Sequence, residues 1–122
     1  MPVLTGESIK DLSDSLAYLR KLEYLKLDFD LCDNLTDDNL KILSSGFKYM
    51  TELKDLHIIW GNGKNFTNTG LKDFCLCFHG LQKIENFTFG LREMPCVTDE
   101  GLKLIATNII KMLSLTTLKL DL

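Results

Sequence analysis

The sequence predicts an α/β fold: a short horseshoe-shaped solenoid of about four strand–helix units, with a parallel sheet on the concave side and helices on the convex side. Two observations carry this. Apolar residues recur in columns 31 residues apart, and each unit holds two apolar periods, one of a strand and one of a helix. Composition agrees with a globular chain. Of 122 residues 24 are leucine, with 45% hydrophobic, 25% charged and a net charge of −3. That balance excludes disorder, and the length suits one domain, residues 1–122, large enough to bury a core without a metal or disulfide.

The columns are read in chain order. Leu22, Leu53, Ile84 and Leu115 are spaced by 31 residues. Leu25, Leu56, Phe87 and Leu118 follow, then Leu27, Ile58, Phe89 and Leu120, then Phe29, Trp60, Leu91 and Leu122. Leu25-x-Leu27-x-Phe29 alternates apolar and polar, the period of a half-buried strand. Strands are predicted near 24–29, 55–60, 86–91 and 117–121. Leu40, Leu43, Phe47 and Met50 mark one stripe of an amphipathic helix, and Leu102, Ile105, Ile109 and Met112 repeat it. Helices are predicted near 6–19, 37–50, 68–80 and 99–112. Thr5, Thr36, Thr67 and Thr98 precede them as caps, with carboxylates behind Thr36 and Thr98 at the positive helix ends. The units are approximately 1–29, 30–60, 61–91 and 92–122.

One strand and one helix cannot bury both their apolar faces, so the copies must stack. Helices need about 8–10 Å each and strands about 4.8 Å, which bends the stack with strands on the inner curve.

The segments LEYLKLDF, LKDLHIIW, IENFTFGL and LTTLKLDL resemble the LxxLxLxx core of leucine-rich repeats. LTDDNLKIL, FTNTGLKDF and VTDEGLKLI resemble the loop-to-helix segment of the ribonuclease-inhibitor-like subclass. The unit is about three residues longer than usual for that subclass. Asp30, Gly61 and Arg92 stand where the family often places asparagine, so the loops must satisfy their backbone groups without an asparagine ladder. The resemblance implies protein–protein recognition and no chemistry.

Motifs that could carry chemistry read more simply as structure. Cys75-x-Cys77-x-His79 lacks the paired spacing of a zinc site; on a helix Cys77 points away from Cys75 and His79, and Cys75 fills a small buried column. No metal and no cofactor is expected. Cys32, Cys75, Cys77 and Cys96 read as reduced thiols of an intracellular, cytoplasmic protein, since the start has neither a basic region nor an apolar one. The sequons at Asn34, Asn65 and Asn86 fall on repeat positions that already have structural roles. Gly61-Asn62-Gly63-Lys64 lacks the phosphate-loop spacing and reads as a flexible loop. Lys10, Lys41, Lys72 and Lys103 form a column, paired along their helices with Glu7, Asp37 and Asp99. Mild acidity gives nucleic acid or an anionic membrane no foothold, and no apolar run approaches a membrane span. His57 and His79 lie in different settings without a nucleophile, so no enzyme is expected.

The expected partner is another protein. On the concave face Tyr24, His57 and Ile59 are candidates, with Ile59 beside Gly90 as an exposed apolar anchor. Helix 1 reads as a polar cap carrying Asp11, Ser13, Asp14 and Arg20, whereas the last unit places Leu104, Ile110 and Leu113 at polar columns. Its strand, with Leu118, Leu120 and Leu122, is an open edge beside which Ile110 and Leu113 would pack. The sequence therefore predicts a non-enzymatic interaction module, a small adaptor or structural subunit docking through its C-terminal strand edge by self-association or onto another subunit. The alternative is the N-terminal part of a longer repeat protein, or a GTPase-activating-type regulator presenting Arg92.

Overall fold

A computed structural model describes residues 6–30 and 34–122. The roles predicted for Thr5 and Cys32 lie outside these residues. Helices and strands alternate: α1 (Gly6–Tyr18), β1 (Tyr24–Phe29), α2 (Asp37–Phe47), β2 (Asp55–Gly61), α3 (Asn68–Cys75), β3 (Asn86–Arg92), α4 (Asp99–Ile109) and β4 (Thr117–Asp121). The strands form one parallel sheet in the order β1-β2-β3-β4. Its register is the repeat itself: Leu25 pairs with Leu56, Leu56 with Phe87, and Phe87 with Leu118, each 31 residues on.

Leu56, Ile58, Trp60, Phe87, Phe89 and Leu91 turn one sheet face inward onto Leu40, Leu43, Phe47, Leu71, Phe74, Phe78 and Ile105 of the helical layer. Phe74 packs edge-on against Phe47, Trp60 and Phe78, and Trp60 stacks on Phe29 at 4.6 Å. The passage from helix to strand is the same tight turn after α1, α2 and α4. Met50 N–H donates to Phe47 and Leu53 N–H to Met50, as Leu19 and Leu22 do before them and Met112 and Leu115 after.

The third helix departs from the predicted 68–80. It is α-helical only to Cys75 and continues as a 3₁₀ helix over Leu76–Gly80. At three residues per turn Cys77 falls under Phe74, so Cys77 is buried rather than pointing away. The other helices also end early, α1 by one residue and α2 and α4 by three, because the tight turns consume the last predicted positions. The 61–64 segment is not a loose loop. Gly61 and Gly63 are buried, and Asn62, like Glu93 one unit on, takes a left-handed backbone that lets Asn62 N–H reach the Arg92 carbonyl.

Neighbouring units are joined at the helix starts. Asp37, the first residue of α2, accepts from the Thr67 N–H at 2.8 Å and the Thr67 hydroxyl at 2.5 Å. Asn68, the first of α3, accepts from the Thr98 N–H at 3.1 Å and donates to the Thr98 hydroxyl at 2.7 Å. A Cβ at Gly70 would collide with the Asp37 carboxylate and one at Gly101 with the Asn68 amide, so a side chain at either position would push the Asp37 or Asn68 side chain out of place. At the equivalent place in α2 the preceding helix begins with Gly6, which has no side chain to house. Asn39 fits there and closes a capping box with Thr36. Asp37 is thus committed to the next unit, and no Asp37–Lys41, Asp99–Lys103 or Glu7–Lys10 pair forms among the described residues. Thr98 likewise makes no cap with its side chain, because Asn68 holds its hydroxyl. The ion pairs that do form cross between units, Glu23–Lys54 at 3.0 Å and Glu52–Lys83 at 2.5 Å. No helix of the described residues is long and apolar enough to cross a membrane.

Candidate functional site

Position in the stack changes the exposure of one and the same column. Leu56 is 2% exposed and Phe87 1%, but Leu118 is 42% exposed. Ile58 and Phe89 are fully buried, while their counterpart Leu120 is exposed. Leu122 behaves in the same way beside Trp60 and Leu91. Among the described residues β4 pairs with β3 alone. The Thr117 N–H donates to Glu85 O, so Thr117, Lys119 and Asp121 turn their backbone groups to β3. The alternate residues Leu118, Leu120 and Leu122 therefore present theirs outward, a row of unpaired donors and acceptors.

Under this edge runs an apolar groove of about 300 Å³. Leu118 and Leu120 of β4, with Leu122 just after it, form one wall, and Leu102, Ile105 and Ile109 of α4, with Ile110 at its C-cap, form the other. Ile110 is 74% exposed. Leu113, also exposed, stands outside the groove lining. Residue columns assign Leu102, Ile105 and Ile109 to the core; Ile105 and Ile109 are buried, but Leu102 is 37% exposed, whereas the earlier members of its column, Ile9, Leu40 and Leu71, are covered. Asp99 repeats the logic in polar form. It holds the position of Asp37 and Asn68, yet no described threonine meets it. Leu104 is half-buried rather than an exposed replacement for Asp11.

The opposite end is only partly the predicted polar cap. Ser13 is buried and its hydroxyl donates to Ile42 O at 2.7 Å, while Tyr18 and Leu19 are exposed.

On the outer sheet face the residues between the apolar columns form rows in register: Tyr24–Asp55–Asn86–Thr117, Lys26–His57–Thr88–Lys119 and Asp28–Ile59–Gly90–Asp121. Tyr24 is exposed and borders a shallow depression of about 230 Å³ with Asp55, His57 and Asn86. Asn86 donates to Asp55 there. Partial burial, together with the Lys26 charge, holds the His57 imidazole below its ordinary pKa, with Asp28 opposing. Ile59 corrects the prediction. It is 5% exposed, because its side chain lies across Gly90, where a Cβ would stand 2.6 Å from the Ile59 Cδ1. It fills a hole in the sheet face instead of projecting from it, and so offers no apolar anchor.

Arg92 is engaged. Its Nε donates to Asp121 Oδ2 at 2.9 Å and its Nη2 at 2.5 Å, with Asp30 at 3.6 Å on the other side. Burial pushes the Cys75 thiol up to about 12 and raises Cys77 as well, so neither is a ready thiolate; Cys96 is exposed. A groove of about 460 Å³ lies on the helical side between α2 and the 3₁₀ helix and gathers Lys41, Lys48, Asp73 and His79. Among the described residues no three His, Cys, Asp or Glu side chains are grouped to hold a metal ion.

No protein-family model matches the chain, and no curated protein matches it significantly. In fold the chain is similar to a solved chain described as leiomodin-1 actin-binding site 2 (ABS2), with a TM-score of 0.67 and 12% identical residues. The likeness covers 98% of this chain and spans 65% of the length of that one.

Proposed function

We propose that this chain is a leucine-rich-repeat arc of the ribonuclease-inhibitor-like kind, acting inside the cell as a non-enzymatic protein–protein interaction module that docks through the β4 edge and the α4 groove. The observation that carries the reading is the exposure of Leu118 and Leu120 in columns that are buried in β2 and β3. An unpaired strand edge supplies main-chain hydrogen bonds, and a groove beside it supplies apolar burial, the two components of strand-addition recognition. The similar solved chain is named for an actin-binding site, which favours protein recognition as the class of function for this fold. Arg92, the residue on which a GTPase-activating role would rest, is held by Asp121 and Asp30 and lends that role no support.

Affinity capture with the wild type, with Ile110→Asp/Leu120→Lys, and with Tyr24→Ala/His57→Ala tests the reading. Partners lost with the first double variant and kept with the second are the expected result. Partners kept by the edge variant and lost with the second would move the site to the outer sheet face.

A further inference from the structure

We propose that the occupant of the β4 edge is a second copy of this chain, paired antiparallel about a two-fold axis at Leu120. The inference rests on the edge reading above and names its partner. Charge separates the possible arrangements. A second copy stacked in the repeat's own parallel register would bring its β1 against β4, since β1 is the strand whose other side is unpaired. By the 31-residue register, Lys119 would then face Lys26 and Asp121 would face Asp28. Like charges directly opposite one another on a sheet are destabilising.

Antiparallel pairing about a two-fold axis uses β4 twice and closes the edge on itself. Residues that face one another must point to the same side of the sheet, so the axis passes through a residue, and the three inner residues of β4 are the centres that keep the two strands overlapped on both sides of it. Centred on Lys119, the two Lys119 ammonium groups oppose each other. Centred on Leu118, Lys119 faces Thr117, and Asp121 lies beyond the start of the other strand. Centred on Leu120, Lys119 of each copy faces Asp121 of the other, and Leu118 faces Leu122. Leu120 and Leu118 then exchange main-chain bonds with Leu120 and Leu122, the residues whose backbone groups point outward. Lys119 and Asp121 fall at the closer, non-hydrogen-bonded pairs, where side chains meet best. Asp121 accepts from Arg92 through Oδ2, leaving Oδ1 for the facing lysine. Beneath the joined strands the two apolar grooves merge and cover Ile110 of both copies.

Sedimentation velocity across a concentration series reads the assembly, with circular dichroism checking that each variant is folded. The wild type should form a dimer. Lys119→Asp places carboxylates against Asp121, and Asp121→Lys places ammonium groups against Lys119. Each alone should weaken dimerisation by about tenfold or more. An equimolar mixture of the two variants restores opposite charges across the axis and should form a heterodimer with affinity near that of the wild type. A wild type that stays monomeric at several hundred micromolar would overturn the second copy as occupant, while the capture experiment above still judges the edge itself. A dimer indifferent to both charge variants would overturn the Leu120-centred pairing.

Discussion

His57 shows how much a single side chain depends on its row. Lys26 lies beside it in register and Lys119 two strands away, so the protonated imidazole would add a third cation to a partly dehydrated row. Its folded pKa is therefore lower than its unfolded one. As pH falls, the unfolded chain takes up that proton first, so the stability associated with this group is complete above the ordinary value of 6.5 and declines below it. An NMR titration should place the His57 midpoint below 6.5, and His57→Asn should flatten the loss of stability in urea between about pH 6.5 and 5. A midpoint at or above the ordinary value would refute the account. The row itself was legible from the 31-residue period. What the period could not reveal was Ile59, because its burial depends on the absence of a side chain at Gly90 one strand away.

The elements are held together by residues whose work lies in the next unit. Asp37 looks like an ordinary first-turn carboxylate, and the i, i+4 spacing suggests Lys41 as its partner. The Thr67 backbone wins because an N–H at a loop corner has no other acceptor, whereas an exposed lysine is content with water. Asp37→Ala should therefore cost about 1–3 kcal/mol by leaving the Thr67 N–H without a partner. Asp99→Ala, at the same helix position with no threonine to hold, should cost less than about 1 kcal/mol, the scale of its interaction with the helix end. Urea denaturation of the two variants measures the difference, and equal costs would show that the contacts between units contribute nothing. The ladder leaves a sequence signal that sharper reading could find: glycine at 70 and 101 follows a side chain at 37 and 68, and asparagine at 39 follows glycine at 6. The 3₁₀ end of the third helix leaves no comparable mark.

At the scale of the molecule, one column samples every depth of the stack. Leu25 is half-buried on the β1 edge, Leu56 is 2% exposed and Leu118 is open. Leu56→Ala should cost about 2–5 kcal/mol, the range for a leucine truncated in a closed core. Leu25→Ala should cost roughly half as much, because part of that side chain already meets water. Similar losses at both positions in thermal or urea unfolding would contradict the stacked-layer account. The sequence by itself determined the strands, the helices, the register and the inward columns, since those follow from local periodicity repeated at a constant interval. Only the tertiary structure decided which members of each column are covered, where Ile59 comes to rest, and what Asp37 and Arg92 hold. Burial and pairing are properties of neighbours 29 to 31 residues away, and identical residues in one column meet different neighbours at each level of the stack.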